Sequence, residues 1–259
     1  MSAYPGVSAA TQVIGGLPVI KATRAQLGAM MLSDVRAARA GDLALPRFVT
    51  SANGSVVAGY HADPALRRVI DSADIVDADG MPLIFASRLF CRDPLTERTA
   101  TTDFVHDAAA LAVKEGIKFY FLGARQGVAA RAADYLRSRY PDLQIVGVRH
   151  GFFADADIPA ICATVRRSGA DVLWVGMGTP RQEYFAVKAR EHLAGLAWIR
   201  TCGGLFDHYG GGVSRAPDWM QATGLEWLYR AAREPLRLGV RYLVTSPRAI
   251  YHLATKTHD

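Results

Sequence analysis

The chain has 259 residues, of which 50% are hydrophobic and 21% are charged, and its formal net charge is +6. This length suits one large α/β domain or two small ones, and the composition excludes a chain that is disordered throughout. The spacing of Cys91, Cys162 and Cys202 supports neither a disulfide framework nor a zinc site. No secretory leader and no apolar run of about 18 to 20 residues is visible, which predicts a cytoplasmic protein, soluble or bound to a membrane surface.

Short apolar segments alternate with helical segments along most of the chain. The first 15 residues lack periodicity and are predicted to be frayed. Strands are predicted at 17–20, 47–50, 75–76, 118–122, 143–148, 171–175 and 197–201. Helices are predicted at 23–40, 63–72, 81–89, 102–114, 127–140 and 158–168, and again after Pro180. This alternation is typical of βαβ units and predicts a Rossmann-like, mostly parallel sheet with helices on both faces.

The alternation ends near Arg215, where a helical and basic segment begins. We therefore predict an α/β domain over residues 1–214 and a basic helical C-terminal appendage over residues 215–259. The segment from Leu225 to Thr257 carries a net charge of +4, from six basic residues and two acids. These are Arg230, Arg233, Arg237, Arg241, Arg248 and Lys256 against Glu226 and Glu234. An anionic partner is expected to meet this end of the protein.

One helix of this appendage is predicted to begin at Pro235 and to end at Pro247. Arg237 and Arg241 share a face of it, beside an apolar stripe, and Arg230 and Arg233 pair in the same way on the preceding helix. Basic residues that flank an apolar stripe are typical of a helix that lies on an anionic membrane. The alternative is a helix that packs on its own domain and exposes its arginines to water.

The stretch from Asp171 to Phe185 reads as a buried strand, a glycine turn and a helix. Thr179 is the predicted N-cap and Pro180 the first helical residue. The N–H groups that follow Gly178 could bind an anion, and Arg181 and Gln182 lie in the first helical turn. As a bare pattern, glycine residues before a helix are weak, because many helices begin this way for packing reasons.

Polar residues and glycines also follow the other predicted strands. The carboxyl ends of parallel strands open on one edge of a sheet, so these residues are expected to converge there. They are Ser51, Asn53, Asp79, Gly123, Gly151, Arg181, Gln182 and Asp207. Such a set suits a phosphorylated, hydroxyl-rich ligand. Taken alone, Asp79 could instead cap the next helix, and Asn53 could form an Asx-turn.

The run V-G-M-G-T-P-R-Q-E resembles the G-x-P-[KR]-Q-E motif of the WecG/TagA/CpsF family of bacterial glycosyltransferases (glycosyltransferase family 26). The likeness extends in order from about Gly16 to Tyr242. It includes the blocks A-D-I-V-D-A-D-G-M-P-L, E-R-T-A-T-T-D-F, L-G-A-R-Q-G-V-A, Y-P-D-L-Q-I-V-G-V-R-H-G-F-F, C-G-G-L-F-D and R-A-P-D-W-M-Q-A-T-G-L-E-W-L-Y-R-A-A-R-E-P-x-R.

The resemblance implies transfer of a hexose, of the N-acetylmannosamine type or a related one, from a UDP-sugar to a polyprenyl-diphosphate-linked saccharide. This reaction takes place at the cytoplasmic membrane face during synthesis of cell-surface polysaccharide. The implied general base is Asp79, and the family's T-x-N element falls on Ser51 and Asn53, with serine in place of threonine. The family glutamine falls on Gln182. Arg98 falls on the arginine assigned to the diphosphate, and the nucleotide-contacting residues fall on Gly151, Phe152 and Asp207.

One departure from the family pattern lies beside Arg98, where Thr101 replaces the usual glycine of R-x-x-G-x-D. Threonine cannot easily adopt a positive φ, so the backbone near Arg98 is expected to differ from the family's. No metal motif is convincing, because Asp77-x-Asp79 has a suitable spacing but Asp79 has an implied catalytic role. We therefore favour a metal-independent enzyme without a cofactor.

The rival interpretation is a non-catalytic nucleotide-sugar- or lipid-binding regulator with the same fold. A Rossmann dehydrogenase is disfavoured, because no strand is followed by a full G-x-G-x-x-G with an acid about 20 residues later. The expected partners are the UDP-sugar, the lipid-linked acceptor and an anionic membrane surface, with no nucleic acid. Homo-oligomerisation stays open.

Overall fold

A computed structural model of the protein describes residues 10–212 and 216–259. The strands are β1 Thr11–Ile14, β2 Leu17–Ile20, β3 Arg47–Ala52, β4 Ile75–Ala78, β5 Phe119–Gly123, β6 Ile145–Arg149, β7 Val172–Gly176 and β8 Trp198–Thr201. The helices in the first range are α1 Arg24–Ala40, α2 Gly54–Ala62, α3 Pro64–Asp71, α4 Met81–Phe90, α5 Thr101–Glu115, α6 Val128–Arg139, α7 Ile158–Arg167, α8 Arg181–Ala189 and α9 Leu205–Gly210. Those in the second are α10 Asp218–Ala222, α11 Glu226–Arg233 and α12 Val240–Thr255, the last preceded by a π-helical turn over Pro235–Gly239.

Strands β3 to β8 form a parallel sheet in the order β4-β3-β8-β7-β5-β6. Its strands alternate large apolar side chains between the two faces. Trp174 on β7 packs among α1, α5 and α6, whereas Leu173 and Val175 pack against α7 and α8. The prediction of a Rossmann-like parallel sheet covered on both faces is confirmed. Burial on both faces explains why these strands are almost continuously apolar.

Within the predicted frayed stretch of the first 15 residues, the described part is ordered as strand β1, which corrects the prediction there; residues 1–9 lie outside the described residues. β1 pairs antiparallel with β2, and Val13 also pairs with His258 at the other end of the chain. The Gly15 N–H donates to the Thr257 hydroxyl at 2.9 Å, and the Gly16 N–H donates to the Lys256 carbonyl at 2.8 Å. β1 and the turn after it are thus stabilised by partners 240 or more positions away, which local periodicity cannot indicate.

Two helix boundaries also differ from the predictions. Pro247 lies inside α12 and does not end a helix there. Packing of α12 on α2 and α4 outweighs the backbone hydrogen bond that a proline removes, since Ala249 and Leu253 are buried at that contact. α8 begins at Arg181, after a cis Thr179–Pro180 bond. Thr179 is not its N-cap, because its hydroxyl donates to the Glu183 carboxylate at 3.1 Å.

The predicted boundary between residues 214 and 215 lies outside the described residues. The segment that follows contacts the sheet domain in two places, through α12 and through the last residues beside β1. We keep the division into a catalytic domain and an appendage as a proposal.

Candidate active site

The carboxyl ends of β3 and β4 bring the first group of candidate residues together. These strands pair in register, with Ser51 opposite Asp77 and Ala52 opposite Ala78. The Asp79 N–H donates to the Ala52 carbonyl at 2.9 Å. A Cβ atom added to Gly80 would lie 3.1 Å from that of Asn53, so the two strand exits are in contact. The predicted convergence of Ser51, Asn53 and Asp79 is what the parallel pairing produces.

The half-buried carboxylate of Asp79 faces the start of α5. Its Oδ1 accepts a hydrogen bond from the Thr101 N–H at 3.1 Å. It does not cap the helix that follows it, since the N-cap of α4 is Gly80 and no side chain caps this helix. A carboxylate at a helix N-terminus is stabilised by the unpaired N–H groups and by the helix dipole. This contact holds Asp79 at the open edge of the sheet.

Thr101 needs no positive φ in this chain. It is the first residue of α5, and Ala124 is the non-glycine residue with a positive φ in the part of the chain described. The threonine therefore introduces no backbone strain. Its side chain has a role that the sequence did not indicate, because its Oγ1 lies 3.2 Å from the Ser51 hydroxyl and 3.3 Å from Nη2 of Arg200.

Arg200 and Asp77 form an ion pair beneath this site. Nη1 of Arg200 lies 2.6 Å from Oδ2 of Asp77, and both side chains are at most 1% exposed. Burial raises the pKa of Asp77, which the Arg200 charge and the Ser51 hydroxyl oppose and the charge of Asp79 reinforces. Arg200 was not among the predicted site residues. The available signal was a charged residue inside the predicted strand 197–201, since arginine is almost never fully buried unless it is paired.

Asn53 caps a helix, through a bond to the third residue along the chain, and does not form the Asx-turn that was its alternative interpretation. Its Oδ1 accepts from the Val56 N–H at 3.1 Å and caps α2. The side chain is thereby fixed at the edge of the site. This bond occupies only Oδ1, and the NH₂ group of the amide keeps its capacity to donate to a ligand.

Gln182 and Glu183 lie between the group of Ser51, Asn53 and Asp79 and a second group, the glycines at the ends of β5, β6 and β7. Oε1 of Gln182 accepts from the Gly203 N–H after β8 at 2.9 Å, and its Nε2 donates to Oε1 of Glu183 at 2.7 Å. Glu183 is 1% exposed and also accepts from the hydroxyls of Thr179 and Thr50. Burial raises the pKa of Glu183, and the bond from Gln182 opposes that rise. The sequence analysis did not select Glu183, although it lies next to Gln182 in the motif.

The glycines of the second group allow close packing at the ends of β5, β6 and β7. A Cβ at Gly123 would lie 2.1 Å from the Gly176 carbonyl oxygen, and a Cβ at Gly151 would lie 2.8 Å from Cγ of Met177. Gly178 has a φ of +77° in the turn before α8. These positions bring three strand exits close together, and only glycine accommodates the contacts at Gly123.

Aromatic and charged side chains border these glycines. Phe152 is 59% exposed, and the guanidinium carbon of Arg181 lies 5.7 Å from its ring centroid and 5.6 Å from that of Phe153. Arg181 also donates to the Phe153 carbonyl at 3.2 Å. Asp207 is half-buried in the first turn of α9. Burial raises the pKa of the Cys202 thiol, and the charge of Asp207 adds to that rise. An exposed ring beside a cation suits a flat, anionic ligand.

Arg98 is held between the sheet domain and the C-terminal segment. Its side chain is 14% exposed, with Nη1 3.1 Å from Glu226 of α11 and Nη2 3.5 Å from Asp103 of α5. The structure therefore places this arginine at the contact between the two predicted regions. The first turn of α5 connects Arg98 to Asp79, because it carries both Asp103, which contacts Arg98, and Thr101, which contacts Asp79.

The C-terminal segment exposes apolar and aromatic side chains. Arg233 stacks on Tyr229 and Arg241 on Tyr242, with guanidinium carbons 5.9 and 5.4 Å from the ring centroids. The side chains of Arg230 and Arg237 lie outside the described part of the structure. The exposed apolar residues of this segment include Trp219, Trp227, Leu228, Leu236, Val240, Leu243, Val244 and Ile250. No helix within residues 10–212 and 216–259 is long and apolar enough to cross a bilayer.

The described residues contain no group of three or more His, Cys, Asp and Glu side chains arranged to hold a metal ion. A pocket of about 430 Å³ lies beside α8, lined by Phe153, Met177, Arg181 and Tyr184 among others. It borders the glycine and aromatic group and does not include Asp79. This pocket is thus separate from the polar network around Asp79.

The fold is that of a parallel α/β protein, and its candidate site lies at the strand ends. The chain belongs to the Glycosyl transferase WecG/TagA/CpsF family, whose model matches residues 12–258. The match covers nearly the whole chain and confirms the resemblance found in the sequence. It supports a glycosyltransferase role in the synthesis of cell-surface polymers, and in general terms it implies a nucleotide-sugar donor and a glycan acceptor.

Proposed function

We propose that the protein is an inverting glycosyltransferase that moves a hexose from a UDP-sugar to a polyprenyl-diphosphate-linked saccharide. The hexose is of the N-acetylmannosamine type or a related one. One observation carries the proposal, namely a carboxylate, Asp79, held at the open edge of a parallel sheet by the first N–H of α5. In a chain of a glycosyltransferase family, such a group suits the removal of a proton from an acceptor hydroxyl.

The proposed reaction is a single displacement. The acceptor oxygen forms a bond to the anomeric carbon, the bond from that carbon to the diphosphate oxygen breaks, and Asp79 takes the hydroxyl proton. Attack from the face opposite the leaving UDP inverts the anomeric configuration. Ser51 and Asn53 lie beside Asp79 and are proposed to orient the acceptor, and Gln182 joins this group to the donor side.

The negative charge that develops on the diphosphate needs a positive environment. The free N–H groups of the turn at Gly178, together with Arg181 in the first turn of α8, are proposed to supply part of it. Arg98 is proposed to supply the rest. Its ion pair with Glu226 would have to open or rearrange when the donor binds, because both carboxylate and diphosphate compete for the same guanidinium.

The uridine is proposed to lie over the loops at Gly123 and Gly151. The exposed ring of Phe152 offers a stacking surface, and the half-buried Asp207 offers a carboxylate for a hydroxyl or imide N–H.

We further propose that the reaction proceeds without a metal ion. A metal held by the Asp77-x-Asp79 pair would need both carboxylates. Asp77 is instead buried and paired with Arg200 at 2.6 Å, and its side chain lies inside the sheet.

The lipid-linked acceptor places the reaction at the inner face of the membrane. We propose that the C-terminal segment docks there through Arg230, Arg233, Arg237 and Arg241 and through its exposed apolar side chains. Leu243 is 78% exposed and Leu236 is 89% exposed, which suits insertion at a lipid surface better than contact with water.

A transfer assay tests the proposal. The purified protein is incubated with a panel of UDP-hexoses and UDP-N-acetylhexosamines, a polyprenyl-diphosphate-linked saccharide in detergent, and EDTA in one arm. We expect UDP release and a longer lipid-linked product with an inverted anomeric centre, at the same rate with EDTA. A product of retained configuration would contradict the mechanism, and loss of activity with EDTA would contradict metal independence.

The non-catalytic regulator predicts another outcome of the same panel. It predicts a rise in Tm with a UDP-sugar, since a ligand at 100 times its Kd adds about 2.7 kcal/mol, but no UDP release with any acceptor. Stabilisation without turnover across the panel would favour that alternative.

A further inference from the structure

Two side chains of opposite charge are buried between the sheet and α5, and one of them lies two residues before the proposed base Asp79. Asp77 is on β4 and Arg200 is on β8, and these strands flank β3. Their side chains meet across β3 at 2.6 Å, and Arg200 also lies against the Phe104 ring of α5, 5.6 Å from its centroid. Both are at most 1% exposed.

Stability alone does not explain this arrangement. Removing two charges from water offsets most or all of their mutual attraction, and well-packed apolar residues of similar volume are often at least as stabilising. The neighbouring side chains Phe104, Trp174 and Trp198 are apolar and buried, so an apolar pair would suit the surroundings. The ion pair therefore needs another explanation.

The side chains of Arg200, Thr101, Ser51 and Asp77 form a ring of neighbours around the pair. Arg200 donates from Nη2 to Oγ1 of Thr101 at 3.3 Å, and this hydroxyl oxygen lies 3.2 Å from that of Ser51. Ser51 lies opposite Asp77 in the pairing of β3 and β4, and the ion pair of Asp77 with Arg200 completes the ring. The two carboxylate oxygens of Asp77 and Nη1 of Arg200 have no hydrogen-bond partner among the described residues, so the ion pair depends on charge and on its packing. The two hydrogen bonds of the Thr101 hydroxyl fix its orientation.

This ring holds the residue that contacts the proposed base. The Thr101 side chain is in the ring, while its backbone N–H donates to Oδ1 of Asp79 at 3.1 Å. The position of Thr101, the first residue of α5, is thus set by the contacts of its side chain with Arg200 and Ser51. Because α5 begins at Thr101, a shift of that residue moves the N–H group away from the carboxylate.

We propose that Arg200 and Asp77 are positioning residues, which act through Thr101 and Ser51 to fix the Asp79 carboxylate in its reactive orientation. The inference rests on the proposed function of Asp79 as the base. It also gives Ser51 a place in the positioning ring, in addition to its proposed contact with the acceptor. A displacement of about 1 Å at such a group can cost a hundredfold in rate, so a ring of this kind has a catalytic effect without touching substrate.

The first test removes one hydroxyl and leaves the backbone in place. Thr101→Val opens the ring but keeps the N–H group, and Thr101→Ser restores the hydroxyl. We expect Thr101→Val to lower kcat between about tenfold and a hundredfold, with the KM for the donor within about twofold of wild type. Thr101→Ser is expected to recover kcat to within about threefold. Wild-type kcat in Thr101→Val would overturn the proposal.

The second test removes the charges. Because Arg200→Met alone leaves a buried carboxylate unpaired and is expected to unfold the chain, Asp77→Leu is combined with it so that no charge remains. We expect the double variant to fold and to show the kcat loss of Thr101→Val. Wild-type kcat in the folded double variant would contradict a positioning role for the pair.

A third measurement is independent of activity. Amide hydrogen exchange at position 101 reports the bond to Asp79 directly, and we expect exchange to accelerate at least tenfold in Thr101→Val relative to Thr101→Ser. If wild type transfers no sugar, the proposed function fails, but the exchange result still shows whether the ring holds the Thr101 N–H against Asp79. If wild type is active and exchange is equal in both variants, the ring is not a positioning device.

Discussion

The carboxyl edge of β3, β4 and β8 and the C-terminal segment use polar residues in opposite ways. At the sheet edge, Asp77 and Arg200 are buried as an ion pair, and hydrogen bonds join Arg200 to Thr101 and Thr101 to Ser51. In the C-terminal segment, Arg241 stacks on an aromatic ring at the surface, beside exposed leucines and valines. The polar side chains of the first region are held in place by buried neighbours, whereas the arginines and apolar side chains of the second are exposed at the surface.

This difference predicts two kinds of sensitivity. In a buried network, one removed atom leaves another buried polar group without its partner, so single substitutions have large effects. On an exposed basic surface, each charge adds about 1 kcal/mol near an anionic leaflet, so that effects accumulate with the number of charges changed and are screened by salt. Mutations can therefore separate the two regions by the size and the salt dependence of their effects.

The largest effect is expected from Asp79→Asn. The amide keeps the size of the side chain and still accepts the Thr101 N–H, but it cannot take a proton. We expect kcat to fall by about 10²- to 10⁴-fold, the usual contribution of a general base, with donor binding retained. Asp142→Asn, at an exposed loop position, is the matched control and is expected to keep wild-type transfer. Transfer by Asp79→Asn within threefold of wild type would remove Asp79 from this role.

Membrane binding is the next effect in size. We expect flotation with anionic liposomes that decreases with added salt and with charge reversal in the C-terminal segment. Arg233→Glu with Arg241→Glu should weaken binding at least about tenfold, and further reversal of Arg230 and Arg237 should abolish it. Arg166→Glu with Arg167→Glu on α7 changes the net charge equally and serves as the control. Flotation of the quadruple variant like wild type would mean that the membrane contact lies elsewhere.

The fold was largely predictable, because each strand of the parallel sheet is a short apolar run between helices. Elements stabilised by distant partners were not. β1 contacts the last residues of the chain, and α12 continues through Pro247 because it packs on α2. Neither contact leaves a local pattern in the sequence, so the predictions of fraying over residues 10–15 and of a helix end at Pro247 were wrong.

The site residues that lie at strand ends were predictable from the sequence, whereas those inside strands and at the start of α5 were not. Ser51, Asn53 and Asp79 were selected because polar residues after parallel strands meet at one edge. Arg200 lies inside its strand, and its meaning depends on Asp77, two strands away in the sheet. Thr101 was noted only as a departure from the family glycine, since a hydroxyl's partners in space are not visible in the chain.

The contact between the two regions can be tested at Arg98. Glu226 of α11 holds this arginine at 3.1 Å, where we propose that the donor diphosphate binds. Glu226→Gln removes the competing charge, so UDP should bind about two- to fivefold more tightly, in keeping with the modest strength of partly exposed ion pairs. Calorimetric titration measures this change. In Arg98→Gln the same substitution should have no effect. Equal gains in both backgrounds would show that Glu226 acts on something other than Arg98.

The smallest effect concerns the contact between α12 and the sheet domain. His61 of α2 and His252 of α12 stack with ring centroids 3.7 Å apart, and Nε2 of His61 lies 2.7 Å from the Gly15 carbonyl oxygen. Burial lowers the pKa of both histidines, and the charge of Lys256 lowers both further. Arg67 adds to this effect at His61, and His61 itself adds to it at His252.

The sign of the pH dependence follows from these directions. A histidine whose pKa is lowered by folding contributes stability that is complete above its ordinary pKa of about 6.5 and is lost as the pH falls through the folded value. We therefore expect the free energy of unfolding to be flat from pH 8 to 7 and to decrease below about pH 6.5. The slope should stay under the limit of about 1.4 kcal/mol per pH unit for each proton, because both rings are partly solvated. Urea denaturation at several pH values measures this slope. His61→Gln is expected to flatten it, whereas His192→Gln at an exposed position is not. Amide exchange should show that acid loosens α12 before the central strands, and equal slopes in the two variants would place the pH dependence elsewhere in the chain.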